Sequence, residues 1–555
     1  MLIFCKFDTI IFKTYLMKKI TFNFLFIFAL FFTTTTVAQS RYLDPVFPPS
    51  KTDSFVEYSI NFSVLLNDTL PIPTGMDSII IGLDSTTMTP IYFNMPKLEL
   101  DVYEPAGDTL SERPLIIYLH TGTFLPIIRN QGATGSRFDY ATQAMCQQFA
   151  ARGYVVANTT YRMGWNPFLP TEPERGASLM KAAYRGIQDA KAAIRFFRKT
   201  YEMGNPYGVD TSRIIICGQG TGGWIATCLN SVDKLSEIQL PKFLDPVTAI
   251  PLIDTTLFGD WFGYGGNPML NIENHKGYSS DHDMILNMGG AIGDLSWLEA
   301  GDKPMVAAHC NTDRVAVFGT GNLSTLGVQI VSDISGSYDV MHKADSLGNN
   351  DMIPMLFDDY TIAAQNNFAS LISAGAVDAD SNAITNSVSN LFPLITGNPA
   401  EGAPWDYFDS LTTVAIAMMQ GLPAAQGAAA YSGSLNTNPD VSIAKATAYQ
   451  DTVLSFFCPR IVNGLMLPGN TVGITNANKG ISVNVYPNPA TDFVSFNSST
   501  NINTITIFDN SGKLIKNINP NRFTYTIDVS DFAKGIYHAE ISNGITTKTE
   551  KFIIE

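Results

Sequence analysis

Apolar and polar residues alternate from Ser54 to Leu66 and again from Leu98 to Tyr103, the period of strands with one covered face. The rhythm then changes. Pro114 to Leu119 is a continuous apolar run, the pattern of a strand buried on both faces. Ala141, Met145 and Phe149 recur every four residues, so a helix is expected there, closed by Gly153. Tyr154–Ala157 reads as the next buried strand. Met180, Ala183, Tyr184, Ile187, Ala190, Ile194 and Phe197 trace one face of a second helix, and Ile214–Cys217 forms a third buried strand. Met305–Ala308 gives a fourth, Ser337–Asp345 a helical stretch, and Pro354–Phe357 a short fifth strand. Strands alternating with helices predict an α/β fold with a mostly parallel, doubly wound sheet. Residues 360–440 lack strand rhythm and read as helix and loop, and Ala444–Phe457 is a closing helix.

Past a Gly/Asn/Thr linker at 468–480 the period becomes strictly two. Val483/Val485, Ile505/Ile507, Tyr525/Ile527 and Ile536/His538 sit on short runs separated by turn signals such as Asp509-Asn510-Ser511-Gly512. Residues 481–555 are therefore expected to form a small C-terminal β-sandwich. At the other end, Met17-Lys18-Lys19 precedes an apolar run from Ile20 to Phe32, and Thr36 and Ala38 stand at the −3 and −1 positions of a cleavage site before Gln39. The run is shorter than the ~20 residues a membrane span needs, so 1–38 reads as a leader and signal peptide. The α/β domain then occupies 39–467.

Composition narrows the function. Charged residues are 15% of the chain and the formal net charge is −15. An acidic, charge-poor chain with no basic stripe excludes nucleic acid as a partner. No Cys-x-x-Cys pair and no His/Asp/Glu ligand spacing occurs, so no metal and no other cofactor is expected. Past the leader five cysteines remain, Cys146, Cys217, Cys228, Cys310 and Cys458, an odd number that leaves at least one thiol unpaired.

Two stretches carry family motifs. Val485-Tyr486-Pro487-Asn488-Pro489-Ala490-Thr491-Asp492, Asp528-Val529-Ser530, Gly535-Ile536-Tyr537 and the ending Lys551-Phe552-Ile553-Ile554-Glu555 resemble the C-terminal sorting domain of type IX secretion cargo from Bacteroidetes-like bacteria. That resemblance implies export through the periplasm to the outer surface or beyond, with the secretion machinery as partner of 481–555. Further upstream, Leu100-Asp101-Val102-Tyr103-Glu104-Pro105, His120-Thr121-Gly122-Thr123-Phe124 and Gly218-Gln219-Gly220-Thr221-Gly222-Gly223 resemble the α/β-hydrolase fold in its carboxylesterase/feruloyl-esterase-like branch. The resemblance implies carboxylic-ester hydrolysis by a Ser-His-Asp triad.

The triad itself is where the chain departs from that pattern. The family motif is Gly-x-Ser-x-Gly on a strand–turn–helix. Here Gly218 and Gly222 take the two glycine positions, so the nucleophile position is Gly220. Thr221 is the neighbouring hydroxyl, but placing it at the apex shifts the register by one and puts a β-branched residue at positive φ. In the unshifted register the resemblance assigns Thr221, with Gly122 and Thr123, to the oxyanion hole. Asp313 matches the acid position. His342 is the remaining base candidate, although it precedes the expected last strand, whereas the family histidine follows it. His120 belongs to the oxyanion loop, His309 stands beside Asp313, and His275 and His282 fall in a polar loop expected to be solvated. The expected slot after Phe357, including Gln365–Phe368, holds no histidine.

Three functions are open on the sequence: a binding or scaffolding protein that has lost the triad, an ester hydrolase using Thr221, and a surface protein in which the fold is a spacer. An ester or a glycan is the expected ligand class. Pro404-Trp405-Asp406-Tyr407-Phe408 either lines a pocket for it or packs in the core.

Overall fold

The computed structural model describes residues 40–65, 78–83, 90–94, 97–167, 169–245, 247–268, 270–325, 328–378, 381–467, 483–544 and 547–555. The leader and the linker expected from the sequence lie outside them. Eight strands form the central sheet: β1 (Pro49–Ile60), β2 (Lys97–Pro105), β3 (Arg113–Leu119), β4 (Val155–Thr159), β5 (Val209–Gln219), β6 (Met284–Met288), β7 (Met305–Cys310) and β8 (Leu391–Leu394). Their spatial order is β1-β2-β4-β3-β5-β6-β7-β8. β2 runs antiparallel to both neighbours, and β4, β3, β5, β6, β7 and β8 are mutually parallel.

The continuous apolar runs are explained by this packing. In β3, Leu115, Ile117 and Leu119 join one core while Ile116 and Tyr118 join the other. Helices α1 (Tyr140–Ala151) and, near the end of the domain, Ile443–Gly464 cover the second core, which contains Met145, Phe149, Val453 and Phe457. Helices α2 (Glu172–Glu202) and α3 (Thr221–Ser231) cover the first. The start of α2 is fixed by a capping box, in which Thr171 and Glu174 satisfy each other's backbone N–H groups.

Three sequence expectations fail in this domain. Pro354–Phe357 is not a strand but an irregular segment before helix Asp359–Ser373. The last strand is β8, inside the region expected to hold only helix and loop. β6 was not expected at all. An antiparallel excursion, Thr320–Thr325 paired with Val328–Gly336, also leaves the sheet after β7.

Residues 483–555 form a three-stranded sheet, Val483–Tyr486, Phe493–Ile502 and Arg522–Asp528, and a four-stranded sheet, Leu514–Ile518, Thr504–Asp509, Gly535–Ser542 and Thr547–Ile554. Val494, Phe496 and Ile527 of the first meet Ile505, Ile507, Ile541 and Phe552 of the second in one core. This is the expected β-sandwich.

Candidate functional site

The sharp turn between β5 and α3 is kept in full. Gly220 has φ 52° and ψ −112°, and its N–H donates to the Met288 carbonyl at 2.7 Å. Glycine adopts this backbone without steric cost. The flanking glycines serve close approach: a Cβ on Gly218 would lie 2.0 Å from the Gly222 carbonyl oxygen, and one on Gly222 would lie 2.0 Å from that of Leu119. The frame that would present a nucleophile therefore stands, with no side chain at its apex.

The space of that missing side chain is taken. A Cβ built on Gly220 would lie 2.4 Å from Thr121 Oγ1. Thr121 stands on the loop after β3, so that loop supplies the atom nearest the apex. The Thr123 N–H donates to Thr221 Oγ1 at 2.6 Å, so a hydroxyl of the chain itself occupies that donor. Thr123 and Phe124 hold φ of 52° and 54°, which is strained for a β-branched residue, and Trp165 Nε1 donates to the Thr123 carbonyl at 2.6 Å. His120 lies fully buried behind this loop, its ring stacked on Tyr161 at 4.6 Å. Burial pushes its pKa down to about 4, so it stays neutral.

Asp313 follows β7 and accepts the backbone N–H groups of Val315 and Ala316 at 2.8 and 3.0 Å. Its other oxygen lies 3.6 Å from His309 Nε2. His309 in turn is held by Ser337 Oγ and the Ala316 carbonyl, so it braces the acid loop from inside the core. The loop after β8 brings Gly402 to Asp313, and a Cβ on Gly402 would lie 2.7 Å from the carboxylate. His342 is exposed on helix Ser337–Ser346 and does not border the site. Gln365–Phe368 lie on helix Asp359–Ser373, also away from it. His282, expected in solvent, is buried with Nε2 on Asn230 Oδ1 at 3.0 Å, and burial pushes its pKa down to about 3. His275 is half-buried and bonds the Tyr58 carbonyl. All five described cysteines are buried free thiols.

Gly220, Gly122, Thr123, Thr221 and Asp313 border one cavity of about 290 Å³. Most of its remaining wall is apolar, with Asn130, Gln219, Asp406, Ser434 and Asn438 among the polar members. Leu179, Ala183 and Ile187 come from α2, Val331 and Ile334 from the excursion after β7, and Trp405 and Phe408 from the loop after β8. Trp165, Trp224, Trp297 and Trp405, four of the five tryptophans in the chain, line it. The aromatic segment around Trp405 thus does both things the sequence left open, since Trp405 is 1% exposed and also borders the cavity.

One polar cluster was missed by the sequence reading. Gln219, next to the apex, receives Tyr118 Oη–H at 3.1 Å and donates to Asp406 Oδ1 at 2.6 Å. Burial, then the neighbouring Asp139 charge, push the Asp406 carboxyl up to about 7. Asp139, capped by the N–H groups of Gly135 and Ser136, is itself pushed up by burial to about 6. A Gln directly beside the apex was the available signal, because a buried Gln in that position needs a partner.

Comparison with known proteins agrees with this geometry at the level of fold. Residues 100–246 match the family model described as BD-FAE, and residues 484–555 match the secretion system C-terminal sorting domain. Residues 100–246, within the α/β sheet described above, are thus similar to an esterase-like α/β-hydrolase family, and residues 484–555 to a type IX sorting domain. No curated protein matches it. Among solved structures, native esterase 2 of Thermogutta terrifontis is 18% identical, with 45% of this chain and 76% of that one covered and a TM-score of 0.25. The butyrate-bound form of that esterase is 17% identical, covering 44% and 74%, with a TM-score of 0.26. The form phosphorylated by paraoxon is 18% identical, covering 45% and 75%, with a TM-score of 0.24. The sorting domain marks the protein for type IX export to the cell surface or beyond. Among the described residues no helix is long and apolar enough to cross a membrane.

Proposed function

We propose that this exported, esterase-like protein binds a small molecule in the elbow cavity and does not hydrolyse it. The observation that carries the reading is Gly220 in the elbow conformation with Thr121 Oγ1 only 2.4 Å from where a nucleophile's Cβ would be. Two further features support it. No histidine is among the described residues lining the cavity, so a hydroxyl there has no imidazole to take its proton. The Thr221 hydroxyl, next to the apex, is already engaged as acceptor of the Thr123 N–H. In triad hydrolases, loss of nucleophile or base costs roughly 10⁶-fold in rate. The aromatic and aliphatic side chains that make up most of the wall favour a ligand with an aryl or alkyl body.

The test is turnover of 4-nitrophenyl acetate, 4-nitrophenyl butyrate and methyl ferulate by the purified protein. No rate above the uncatalysed background is expected. Turnover that disappears in Thr221→Ala would replace this reading with a threonine-nucleophile esterase. Turnover that disappears in His342→Ala would show that the exposed helix moves to the site.

A further inference from the structure

The chemistry of the cavity wall goes further than its apolarity. Asp313 and Asp406 are the only carboxyl side chains among the described lining residues, and no lysine, arginine or histidine is among them. Asp313 is 5% exposed and is met by two backbone N–H groups and the His309 ring; among the described residues no lysine or arginine pairs with it. A carboxylate held at the wall of an apolar cavity without a full counter-charge attracts a cation. The tryptophans point the same way, since indole is the strongest aromatic partner for organic cations. The two features are neighbours on the wall: a Cβ built on Gly289 would lie 3.5 Å from Trp405 Cη2 and 3.9 Å from Asp313 Oδ2, so the indole and the carboxylate flank the same glycine. An anionic ligand is disfavoured, because the Thr123 N–H is already occupied by the Thr221 hydroxyl. The net charge of −15 also biases encounter towards cations.

We propose that the ligand is an apolar organic cation, an amine or quaternary ammonium, with its charge between the Asp313 carboxylate and the Trp405 ring. This rests on the reading of the cavity as a binding site. Size and apolar body are set by the 290 Å³ volume and the aromatic wall.

Four tryptophans in the wall make intrinsic fluorescence the readout. The full exported chain is titrated with phenyltrimethylammonium and with tert-butylbenzene, its uncharged isostere of the same shape. The cation should bind at least tenfold more tightly. Asp313→Asn should bring the two affinities together by weakening the cation alone. The wild-type pair decides the matter even if that variant does not fold. Equal binding of both probes overturns the cation while leaving a binding protein, and a preference that survives Asp313→Asn overturns the role of Asp313. If neither probe perturbs the fluorescence, the ligand class is wrong. Ester turnover in the separate assay would instead remove the binding reading itself.

Discussion

At position 220 one atom decides what the site can do. A side chain there must adopt φ near 52° and must displace Thr121 Oγ1, 2.4 Å from the new Cβ. Gly220→Ser should therefore lose about 1–3 kcal/mol of stability in urea melts, and a second change, Thr121→Gly, should recover part of it. The double variant should still not hydrolyse 4-nitrophenyl acetate, because the serine has no base; a clear gain in rate would mean that a proton acceptor reaches the apex. Asp406 gives a pH dependence. Its carboxyl, raised from 3.8 to about 7, keeps a proton in the folded state that the unfolded chain has released. The folded protein thus binds more protons between about pH 4 and 7, and stability falls as pH rises through that window. Asp406→Asn keeps an acceptor for Gln219 without the ionisation. It should raise the urea midpoint at pH 8, by an energy on the order of 2–4 kcal/mol, and change it little at pH 4. Equal shifts at both pH values would show that the carboxyl does not titrate in this range.

Element by element, the chain was legible where burial is two-sided and periodic. β3, β4, β5 and β7 stand out as apolar runs because both faces of each are covered. β8 was missed because Leu391-Phe392-Pro393-Leu394 is four residues long with a proline inside, tolerable only because it is the last strand of the sheet. That miss left the expected histidine slot after Phe357, whereas the last strand ends at Leu394 and the loop after it brings Gly402 and Trp405 to the cavity. Gly402 could not be read from the sequence, since its role is the close approach of Asp313 across the fold. The elbow was legible because its glycines are sequence-local, and their packing is stringent. Gly222→Ala would force a Cβ to within 2.0 Å of the Leu119 carbonyl oxygen, backbone against backbone. It should cost about 3 kcal/mol or more, or prevent folding, as read by circular dichroism and urea melts. A fully stable Gly222→Ala would mean that α3 can move away from β3.

The two halves of the molecule carry separate cores. The sandwich core, from Val483 to Ile554, includes no residue before 483, and neither core of the α/β domain includes a residue beyond 467. Each half buries its apolar surface against itself, which is what independent folding requires. Export is tied to the sandwich, because residues 484–555 match the sorting domain. A chain ending at residue 480 should therefore melt cooperatively, at a midpoint close to that of the α/β domain in the full chain, and should keep its cavity. Cell fractionation should find it in the periplasm, while the full chain reaches the surface or the medium. The two measurements separate the claims. A broad, non-cooperative melt of the truncated chain would show that the sandwich supports the α/β domain, and its appearance in the medium would show that the sorting signal lies elsewhere. The five buried thiols sharpen the fractionation, because they must stay reduced through an oxidising compartment. Their protection comes from the folded α/β domain, so the truncated protein should remain free of disulfides in the periplasm when trapped with a thiol-blocking reagent under denaturing conditions.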